Sequence, residues 1–472
     1  MYPRLQNCRV RGAEKDFYLH QYLNGSEFVL ETLHAQILAR CNGANSIEQL
    51  AVEFQQPKED LLCFLKVIEE ARLLEIRDEL QKPLVFSQFD NQPYLREVHI
   101  DATGWCNLYG ICKHCYGRAS FQEATKNEMT LPEFLGVIDQ MEEMNVSNCV
   151  LSGGEIFIRK DLPQLISHLA KRCVHLSGIF TNGTIYRQDV LDAINATGMK
   201  TSFFVSLDGH DSSINDGFRG RGSFTKTIEF IKRVVDAGFQ VTVNTMVMRQ
   251  NVKHLAEMQE YLKSLGIGRW RISVPREQGE AIINKDMVIP EWEDIFEAYE
   301  HLLRTALEKA DRMKIQIGSI FKSELLEDPV FYLFRPTSNC CEYKRWSITI
   351  KPNGDVTPCT AFENLILGNV RRTSLREIWK TNLTQAFKNL PIEATECRDC
   401  DIKEYCGGGC RKIAWEIHGS TLAKDDNSCP LYDFAHRVIW PILEANGVKA
   451  EYLEKPAPYP FNPQMIDHAI LR

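Results

Sequence analysis

The sequence contains no long basic run and no apolar stretch that approaches membrane-spanning length. Its formal net charge is −8 over 472 residues. A nucleic-acid surface concentrates Lys and Arg, and a helix that spans a bilayer needs about 20 consecutive apolar residues. Residues 1–10 also lack the apolar segment of a secretory signal. We therefore predict a cytoplasmic protein with no nucleic-acid partner and no membrane partner.

Internal repeats and low-complexity segments are also absent, whereas cysteine is plentiful, with sixteen residues. Disulfides would require an oxidising compartment, and most of the cysteines fall instead into two tight groups with the spacing of metal ligands. The sequence therefore predicts metal or cluster binding. The five remaining cysteines have apolar neighbours and are predicted core residues: Cys8, Cys41, Cys63, Cys149 and Cys173.

The first cysteine group is Cys106, Cys112 and Cys115, spaced C-x5-C-x2-C and followed by Tyr116. Three thiolates can hold three irons of a [4Fe–4S] cluster and leave the fourth iron open to another ligand. Taken alone, the triplet is also compatible with a zinc site or with reduced structural thiols.

Strand and helix patterns alternate from about residue 94 to residue 320, as in consecutive βα units. Six parallel strands are predicted, at Val98–Ala102, Asn148–Leu151, Gly178–Thr181, Ser202–Val205, Gln240–Met246 and Arg269–Val274. The predicted fold class is α/β, with a partial (β/α)6 barrel of the TIM type. In such a barrel the chemistry takes place at the C-terminal ends of the strands.

Three motifs fall at those strand ends. Gly153-Gly154-Glu155 combines small residues, which allow close backbone approach, with a carboxylate that can accept from an ammonium group. Ser206 follows the fourth strand, and Arg219 offers a guanidinium that pairs well with a carboxylate. Taken singly, these residues could instead be an ordinary turn, a polar turn residue and a surface cation.

The second cysteine group spans about ninety residues. It begins with Cys341, Gly354 and Cys359, which have the spacing C-x12-G-x4-C. This motif surrounds a predicted hairpin with an Asn-Gly turn. It continues with five more cysteines: Cys397, Cys400, Cys406, Cys410 and Cys429.

Together these motifs resemble radical SAM enzymes that carry a C-terminal SPASM domain. The usual cluster loop there is C-x3-C-x2-C, so this loop has two extra residues. The resemblance implies that the open iron binds S-adenosylmethionine (SAM), whose reductive cleavage gives a 5′-deoxyadenosyl radical. The SAM-binding residues that it implies are Tyr116, Gly153, Gly154, Glu155, Ser206 and Arg219. Glu155 and the adjacent backbone would hold the amino group of SAM, Ser206 would lie near the ribose, and Arg219 near the carboxylate.

The same resemblance implies two auxiliary [4Fe–4S] clusters in residues 321–435. The implied ligands of the distal cluster are Cys397, Cys400, Cys406 and Cys429. Cys341, Cys359 and Cys410 are the implied ligands of the proximal cluster. Its fourth ligand stays open, with Cys340, the substrate and no ligand as the alternatives.

Residues 1–79 are predicted to form a separate domain, with short strands followed by three helices. Their segment LARCNGANSIEQLAVEF resembles the PqqD-like domain that binds the leader of a ribosomally made precursor peptide. In such domains the leader adds as a strand to a sheet edge. The alternative is a DNA-binding winged helix. Residues 80–93 are a predicted linker, and residues 436–472 a predicted C-terminal tail with a Pro-rich stretch.

The chain as a whole resembles a radical SAM/SPASM peptide maturase. This implies hydrogen abstraction from a precursor peptide, leading to a cross-link, an epimerisation or an excision, and an electron donor such as flavodoxin or ferredoxin. Two alternatives remain open. One is maturation of a protein such as a sulfatase, or of a small molecule such as a tetrapyrrole, and the other is a non-enzymatic Fe–S scaffold or redox sensor.

Overall fold

The computed structural model describes residues 1–13, 16–84, 95–117, 127–275, 278–308, 313–335, 337–341, 344–452 and 470. Most of the predicted linker, residues 85–93, lies outside this part of the chain. The predicted Pro-rich stretch at residues 455–463 also lies outside it. In the described residues no helix is both long enough and apolar enough to cross a membrane.

The N-terminal domain has a hydrophobic core of its own, separate from that of the rest of the chain. Its strands are β1 Tyr2–Leu5, β2 Cys8–Ala13, β3 Asp16–Gln21, β4 Ser26–Leu30 and β5 Leu74–Arg77. Its helices are α1 Thr32–Arg40, α2 Ile47–Glu53 and α3 Lys58–Glu70. β2, β3 and β4 form an antiparallel sheet, and β1 pairs with β5. The order of three strands and three helices agrees with the predicted order, whereas the β1–β5 pair was not predicted.

The barrel consists of parallel strands that alternate with helices. Its strands are β6 Glu97–Asp101, β7 Asn148–Ser152, β8 His175–Thr181, β9 Ser202–Ser206, β10 Gln240–Met246, β11 Arg269–Ser273 and β12 Lys314–Ile317, followed by β13 Phe321–Lys322 and β14 Val330–Leu333. Its helices are α4 Leu131–Glu143, α5 Leu162–Lys171, α6 Gln188–Thr197, α7 Ser212–Arg219, α8 Ser223–Asp236, α9 Leu255–Ser264, α10 Glu280–Ile283, α11 Lys285–Val288 and α12 Trp292–Glu308. A capping box formed by Thr130 and Glu133 begins α4. The six predicted strands correspond to β6–β11.

The sheet extends past those six strands at both edges, which corrects the predicted strand number. β12 adds in parallel to β11, and β15 (Ser347–Ile350) adds in parallel to β6. β15 continues into the antiparallel strands β16 (Asp355–Thr357) and β17 (Gly368–Asn369). Eight consecutive strands are therefore parallel, and the predicted Asn-Gly hairpin is the continuation of the barrel sheet.

The C-terminal region packs around this hairpin. Its helices are α13 Leu375–Lys380, α14 Asn382–Lys388, α15 Lys403–Cys406, α16 Arg411–His418, α17 Cys429–Phe434 and α18 Trp440–Ala445. A π-helical segment, Ala435–Ile439, joins α17 to α18, so one helical run crosses the boundary predicted at residue 435. β18 (Lys449–Tyr452) then pairs with β14. The first part of the predicted tail therefore belongs to the folded C-terminal region.

The N-terminal sheet contacts the barrel at the N-terminal ends of its strands. Arg9 Nη2 donates to Asn145 Oδ1 at 2.8 Å, and Arg11 Nη2 donates to the Cys173 carbonyl at 2.7 Å. Arg96 Nη2 lies 2.7 Å from Glu27 Oε2. Asn145, Cys173 and Arg96 lie within three residues of the starts of β7, β8 and β6, respectively. The N-terminal domain therefore lies on the face of the barrel opposite to the strand ends that carry the predicted site.

The five cysteines predicted as core residues have different environments. Cys8, Cys41 and Cys149 are buried as expected. Cys173 is half-buried at the contact with Arg11, and Cys63 is exposed on α3. The prediction for Cys63 was wrong because this position of α3 faces away from the core made by Leu61 and Leu65.

Candidate active site and cysteine centres

The cluster loop follows β6, and its two extra residues are taken up by a turn. The Tyr109 amide donates to the Cys106 carbonyl, and the Cys112 amide donates to the Leu108 carbonyl. Ile111 then packs on Gly220, where an added Cβ would lie 2.5 Å from its Cγ2. The turn brings Cys106, Cys112 and Cys115 onto one half-buried loop.

The surroundings of the three thiols suit an anionic cluster. The Leu108 amide and the Asn182 side-chain amide donate to Cys106 Sγ, at 3.4 and 3.9 Å. Burial raises the pKa of Cys106 to about 12 and that of Cys112 to about 11, and the Arg219 guanidinium opposes the shift at Cys112. Buried thiols therefore need positive charge or metal to ionise, and N–H donors to sulfur are typical of iron–sulfur sites. These residues fit a [4Fe–4S] cluster.

The glycines of the predicted SAM motif hold the chain that enters the cluster loop. A Cβ on Gly153 would lie 2.3 Å from the Thr103 carbonyl oxygen, and one on Gly154 would lie 2.4 Å from that of Trp105. The Gly154 amide donates to Thr103, and the Glu155 amide donates to Trp105. Both positions therefore require glycine for a backbone-to-backbone contact, which fixes the start of the loop.

Glu155 is buried and ties the end of β7 to the end of β8. Its carboxylate accepts hydrogen bonds from the Phe157 amide (3.0 Å), the Thr181 hydroxyl (2.8 Å) and the Asn182 amide (2.7 Å). Burial raises the pKa of Glu155, and these hydrogen bonds oppose the increase. Since Asn182 also donates to Cys106, a chain of contacts runs from Glu155 to the cluster loop. The role of Glu155 toward the amino group of SAM stays a prediction.

Arg219 is a buried partner of Asp208 rather than a surface cation. Arg219 Nε donates to Asp208 Oδ2 at 2.6 Å, and Arg219 Nη2 lies 3.1 Å from His114 Nε2. Burial lowers the pKa of His114 to about 4, so this imidazole is neutral at pH 7. Sequence reasoning missed both Asp208 and His114. The available signal for His114 was its place inside the loop, between Cys112 and Cys115.

The two remaining predicted SAM residues lie at the end of β9 and at the end of the cluster loop. Ser206 ends β9 and is half-buried. Tyr116 is 40% exposed, and the carbonyl of its neighbour Cys115 accepts a hydrogen bond from the Glu280 amide at 2.8 Å. The helical turn α10 therefore holds the C-terminal side of the cluster loop.

Some cysteines of the second group lie close to other members of the same predicted set. Burial raises the pKa of Cys341 to about 12, and the next largest contribution comes from Cys410. Burial also raises the pKa of Cys429 to about 11, with further contributions from Asp425 and Cys397. The ligand sets themselves stay predictions. In the described residues no three His, Cys, Asp or Glu side chains are grouped as they would be around a single metal ion.

Cys340 and Cys341 point to different neighbours because Cys341 has a left-handed backbone, with φ +58°. Cys340 is buried, and an added Cβ on Gly408 would lie 2.9 Å from its sulfur. Arg411 and Cys397 are the charged groups that act most strongly on Cys340. The position of Cys340, next to Cys397 of the predicted distal set, does not favour it as the fourth proximal ligand.

Two buried lysines lie beside the hairpin that carries Cys359. Lys351 Nζ donates to Asp101 Oδ2 at 2.9 Å and to the Thr360 carbonyl at 3.1 Å. Lys388 Nζ donates to the Lys344 and Pro358 carbonyls, at 2.7 and 2.8 Å. Neither residue was predicted, because contacts between residues so far apart in the sequence leave no local pattern.

Two domain families match the chain. The radical SAM superfamily matches residues 100–262, and the SPASM iron–sulfur cluster-binding domain matches residues 340–401. The first match contains Cys106, Cys112 and Cys115. The second contains Cys341, Cys359, Cys397 and Cys400, and ends before Cys406.

Individual relatives are similar over most of the chain. The PqqA peptide cyclase of Granulibacter bethesdensis is 28% identical, over 71% of this chain and 87% of its own length. The AdoMet-dependent heme synthase of Nitratidesulfovibrio vulgaris is 27% identical, over 75% and 96%. The crystal structure of Streptococcus suis SuiB bound to precursor peptide SuiA has a TM-score of 0.63 and 17% identity, over 90% of this chain and 99% of that chain.

The domain matches, the similar proteins and the shared fold all indicate the same kind of enzyme as the cluster loop does. The chain belongs to the radical SAM enzymes that carry a SPASM domain, which use SAM and [4Fe–4S] clusters.

Proposed function

We propose that this enzyme modifies a ribosomally made precursor peptide, which residues 1–79 hold by its leader. The similarity to a peptide cyclase supports a peptide substrate. The fold shared with a maturase that was crystallised with its precursor supports the same class. Hydrogen abstraction would begin a cross-link, an epimerisation or an excision.

The observation that carries this proposal is the open edge of the N-terminal sheet. In the part of the chain that the structure describes, β4 pairs with β3 on one side only, and its residues Phe28 and Val29 are 47% and 72% exposed. The opposite edge strand, β2, is buried at each residue from Cys8 to Gly12. An extended peptide can therefore add to β4 by main-chain hydrogen bonds, while Phe28 offers it an apolar contact.

Residues of the barrel would prepare the site for chemistry. When bound, the cluster and SAM supply the 5′-deoxyadenosyl radical. Gly153 and Gly154 fix the entry of the loop, and Asn182 orients Cys106. Asp208 holds the Arg219 guanidinium beside Cys112, where its charge favours the thiolate. Each contact is made before substrate arrives, so the site is preorganised.

The proposed reaction also requires a partner protein that donates electrons. The first cluster needs a low-potential donor such as flavodoxin or ferredoxin, and a cytoplasmic location would supply one. The auxiliary clusters would accept an electron from the product radical. Burial lowers the pKa of Lys388 to about 7, and the nearby Cys359 and Cys341 oppose the shift. In its protonated form Lys388 would stabilise the added negative charge on the proximal cluster.

The test uses the short peptides encoded beside this gene, labelled for fluorescence anisotropy. The isolated domain, residues 1–79, should bind the leader half of the true precursor and bind its core half poorly. Each proline placed at alternate leader positions should weaken binding, because it removes a main-chain donor. Phe28→Asp should weaken binding about tenfold, whereas Val52→Asp, at an 80% exposed position of α2, should leave it unchanged.

The full-length enzyme provides the second half of the test. A chain without residues 1–79 should keep its iron and slow uncoupled SAM cleavage, but lose modification of the precursor. Full turnover by that truncated chain, together with no leader binding, would reject the proposal.

The second candidate function is modification of a small molecule such as a tetrapyrrole. The similarity to a heme synthase, which is as close as that to the peptide cyclase, favours it. Such a substrate has no leader, so it gives residues 1–79 no role. Turnover of a tetrapyrrole by the truncated chain would establish this alternative.

A further inference from the structure

Four polar side chains form one row across neighbouring strands of the barrel. In the strand register, Ser206 lies beside Asn244, Asn244 beside Arg271, and Arg271 beside Gln316. All four are partly exposed. The row crosses β9, β10, β11 and β12 without interruption.

The row faces the lumen of the barrel. Trp270 and Ile272, on either side of Arg271, are fully buried in the main hydrophobic core. Because side chains alternate along a strand, Arg271 points to the opposite face of the sheet, away from that core. The same alternation places Asn244 there, between the buried Val243 and Thr245.

Most of the donors in this row are unused within the described residues. The side chains of Ser206, Asn244 and Arg271 form no hydrogen bond and no ion pair with the part of the chain that the structure describes. Only Gln316 is engaged, through its Nε2 and the Gly318 carbonyl at 3.1 Å. A guanidinium alone has five N–H donors.

Among the described residues, Arg271 lacks the carboxylate partner that its cationic neighbours have. Arg269 pairs with Glu324 at 3.1 Å, and Lys314 pairs with Glu327 at 2.9 Å. No described carboxylate pairs with Arg271, and burial lowers its pKa with no carboxylate to oppose the shift.

Three carboxylates at the barrel end are already engaged. Asp101 pairs with Lys351, Asp208 pairs with Arg219, and Glu155 accepts three hydrogen bonds. A half-buried guanidinium without a partner is costly, so the row favours an anionic ligand from outside the chain.

The position of the row separates it from the methionine end of SAM. Four strands lie between β11 and β6, which leads into the cluster loop. At about 4.8 Å per strand, the two are roughly 24 Å apart along the curved sheet. The amino and carboxylate groups of SAM belong at the open iron of the cluster. The Arg271 end of the row therefore lines the part of the lumen that remains for substrate, whereas Ser206, at the β9 end, stays the predicted ribose contact.

We infer that Arg271, with Asn244 beside it, binds an acidic side chain of the peptide substrate. This inference takes one premise from the proposed function, namely that the substrate is a peptide. A carboxylate matches the guanidinium in charge and in its two-pronged geometry, and the Asn244 amide can donate to the same group. Arg271 is thus a specificity-determining residue of the lumen.

The test compares two capped pentapeptides, acetyl-Gly-Gly-Glu-Gly-Gly-amide and its Gln counterpart, in anaerobic calorimetry with the cluster-loaded full chain and SAM. The Glu peptide should bind at least about tenfold more tightly, as expected for a hydrogen bond to a charged group. Arg271→Gln should abolish that difference, and Arg271→Lys should retain part of it. Arg269→Gln is the matched control, because it removes a cation that already has a partner, and it should retain the full difference.

Three results would overturn the inference. The first is equal binding of the two peptides by the unaltered enzyme, or no binding of the Glu peptide up to about 10 mM. The second is an equal effect of Arg269→Gln and Arg271→Gln. The third is a tenfold loss of SAM affinity in Arg271→Gln with normal iron content, which would assign Arg271 to the carboxylate of SAM. Leader binding by residues 1–79 does not involve Arg271, so the two proposals fail separately.

Discussion

Lys351 Nζ lies 2.9 Å from Asp101 Oδ2, and this buried ion pair joins the hairpin of Cys359 to the strand that leads into the cluster loop. Neither partner is more than 9% exposed in its side chain. The pair is formed across β15 and β6, which are adjacent in the sheet. The SPASM region and the barrel are therefore one packing unit at this point.

We expect Lys351→Met to destabilise the folded chain by about 3–5 kcal/mol, because it leaves the Asp101 carboxylate buried without a cation. Urea unfolding of the enzyme measures this free energy. The double variant Lys351→Met/Asp101→Asn should recover most of the loss, since neither charge remains. A double variant as unstable as the single one would show that Lys351 acts by packing alone.

The cluster loop predicts the iron content. Reconstituted enzyme should hold about twelve irons in three clusters, and replacing Cys106, Cys112 and Cys115 by Ala should remove about four of them. SAM cleavage should be abolished. Cys63→Ala, at the exposed cysteine of α3, is the control and should retain all the iron. Unchanged iron in the triple variant would contradict the assignment of the loop.

Much of the site could be predicted from the sequence because its ligands are local in the chain. Cys106, Cys112 and Cys115 lie within ten residues, and Gly153-Gly154-Glu155 directly follows a strand. The pairing of β15 with β6 could not be predicted in the same way, because it joins segments about 250 residues apart. Asp208 is another such case: only the fold shows that its carboxylate takes the guanidinium of Arg219.

Glu155→Ala should keep the full iron content but weaken SAM binding by roughly tenfold or more. The carboxylate holds the Thr181 hydroxyl and the Asn182 amide, and its loss leaves both donors buried without an acceptor. Calorimetric titration with SAM checks this. Asp189→Ala, which removes an exposed carboxylate on α6 that pairs with Arg187, should leave SAM affinity unchanged. Normal affinity in Glu155→Ala would reject a role in the SAM site.

The contact between the N-terminal domain and the barrel should weaken in acid because of His20. Burial, together with the nearby Arg11, His175, Arg9 and Arg96, lowers the pKa of His20 to about 2. Glu27, 3.6 Å away, is the acidic group that faces it. The folded pKa lies below the unfolded value of about 6.5, so the unfolded state binds more protons between these limits.

Stability should therefore be constant above about pH 6.5 and fall as the pH decreases below it. Between pH 7 and pH 5, His20 should account for a loss of about 2 kcal/mol. Urea unfolding at both pH values measures this. His20→Gln should reduce the loss by that amount, whereas His34→Gln, at a half-exposed position of α1, should not. Identical acid sensitivity of the His20 variant and the unaltered chain would contradict the assignment.

The docking of the N-terminal sheet below the barrel sets a minimum length for the substrate. A leader held on β4 starts on the face where the strands begin, while the cluster loop lies where they end. The longest strands of the barrel, such as β8, have seven residues. An extended peptide advances by about the same 3.3 Å per residue as a strand. At least about seven residues must therefore separate the recognition segment of a precursor from its modified residue, and a precursor with a shorter spacer could not occupy both sites of one chain.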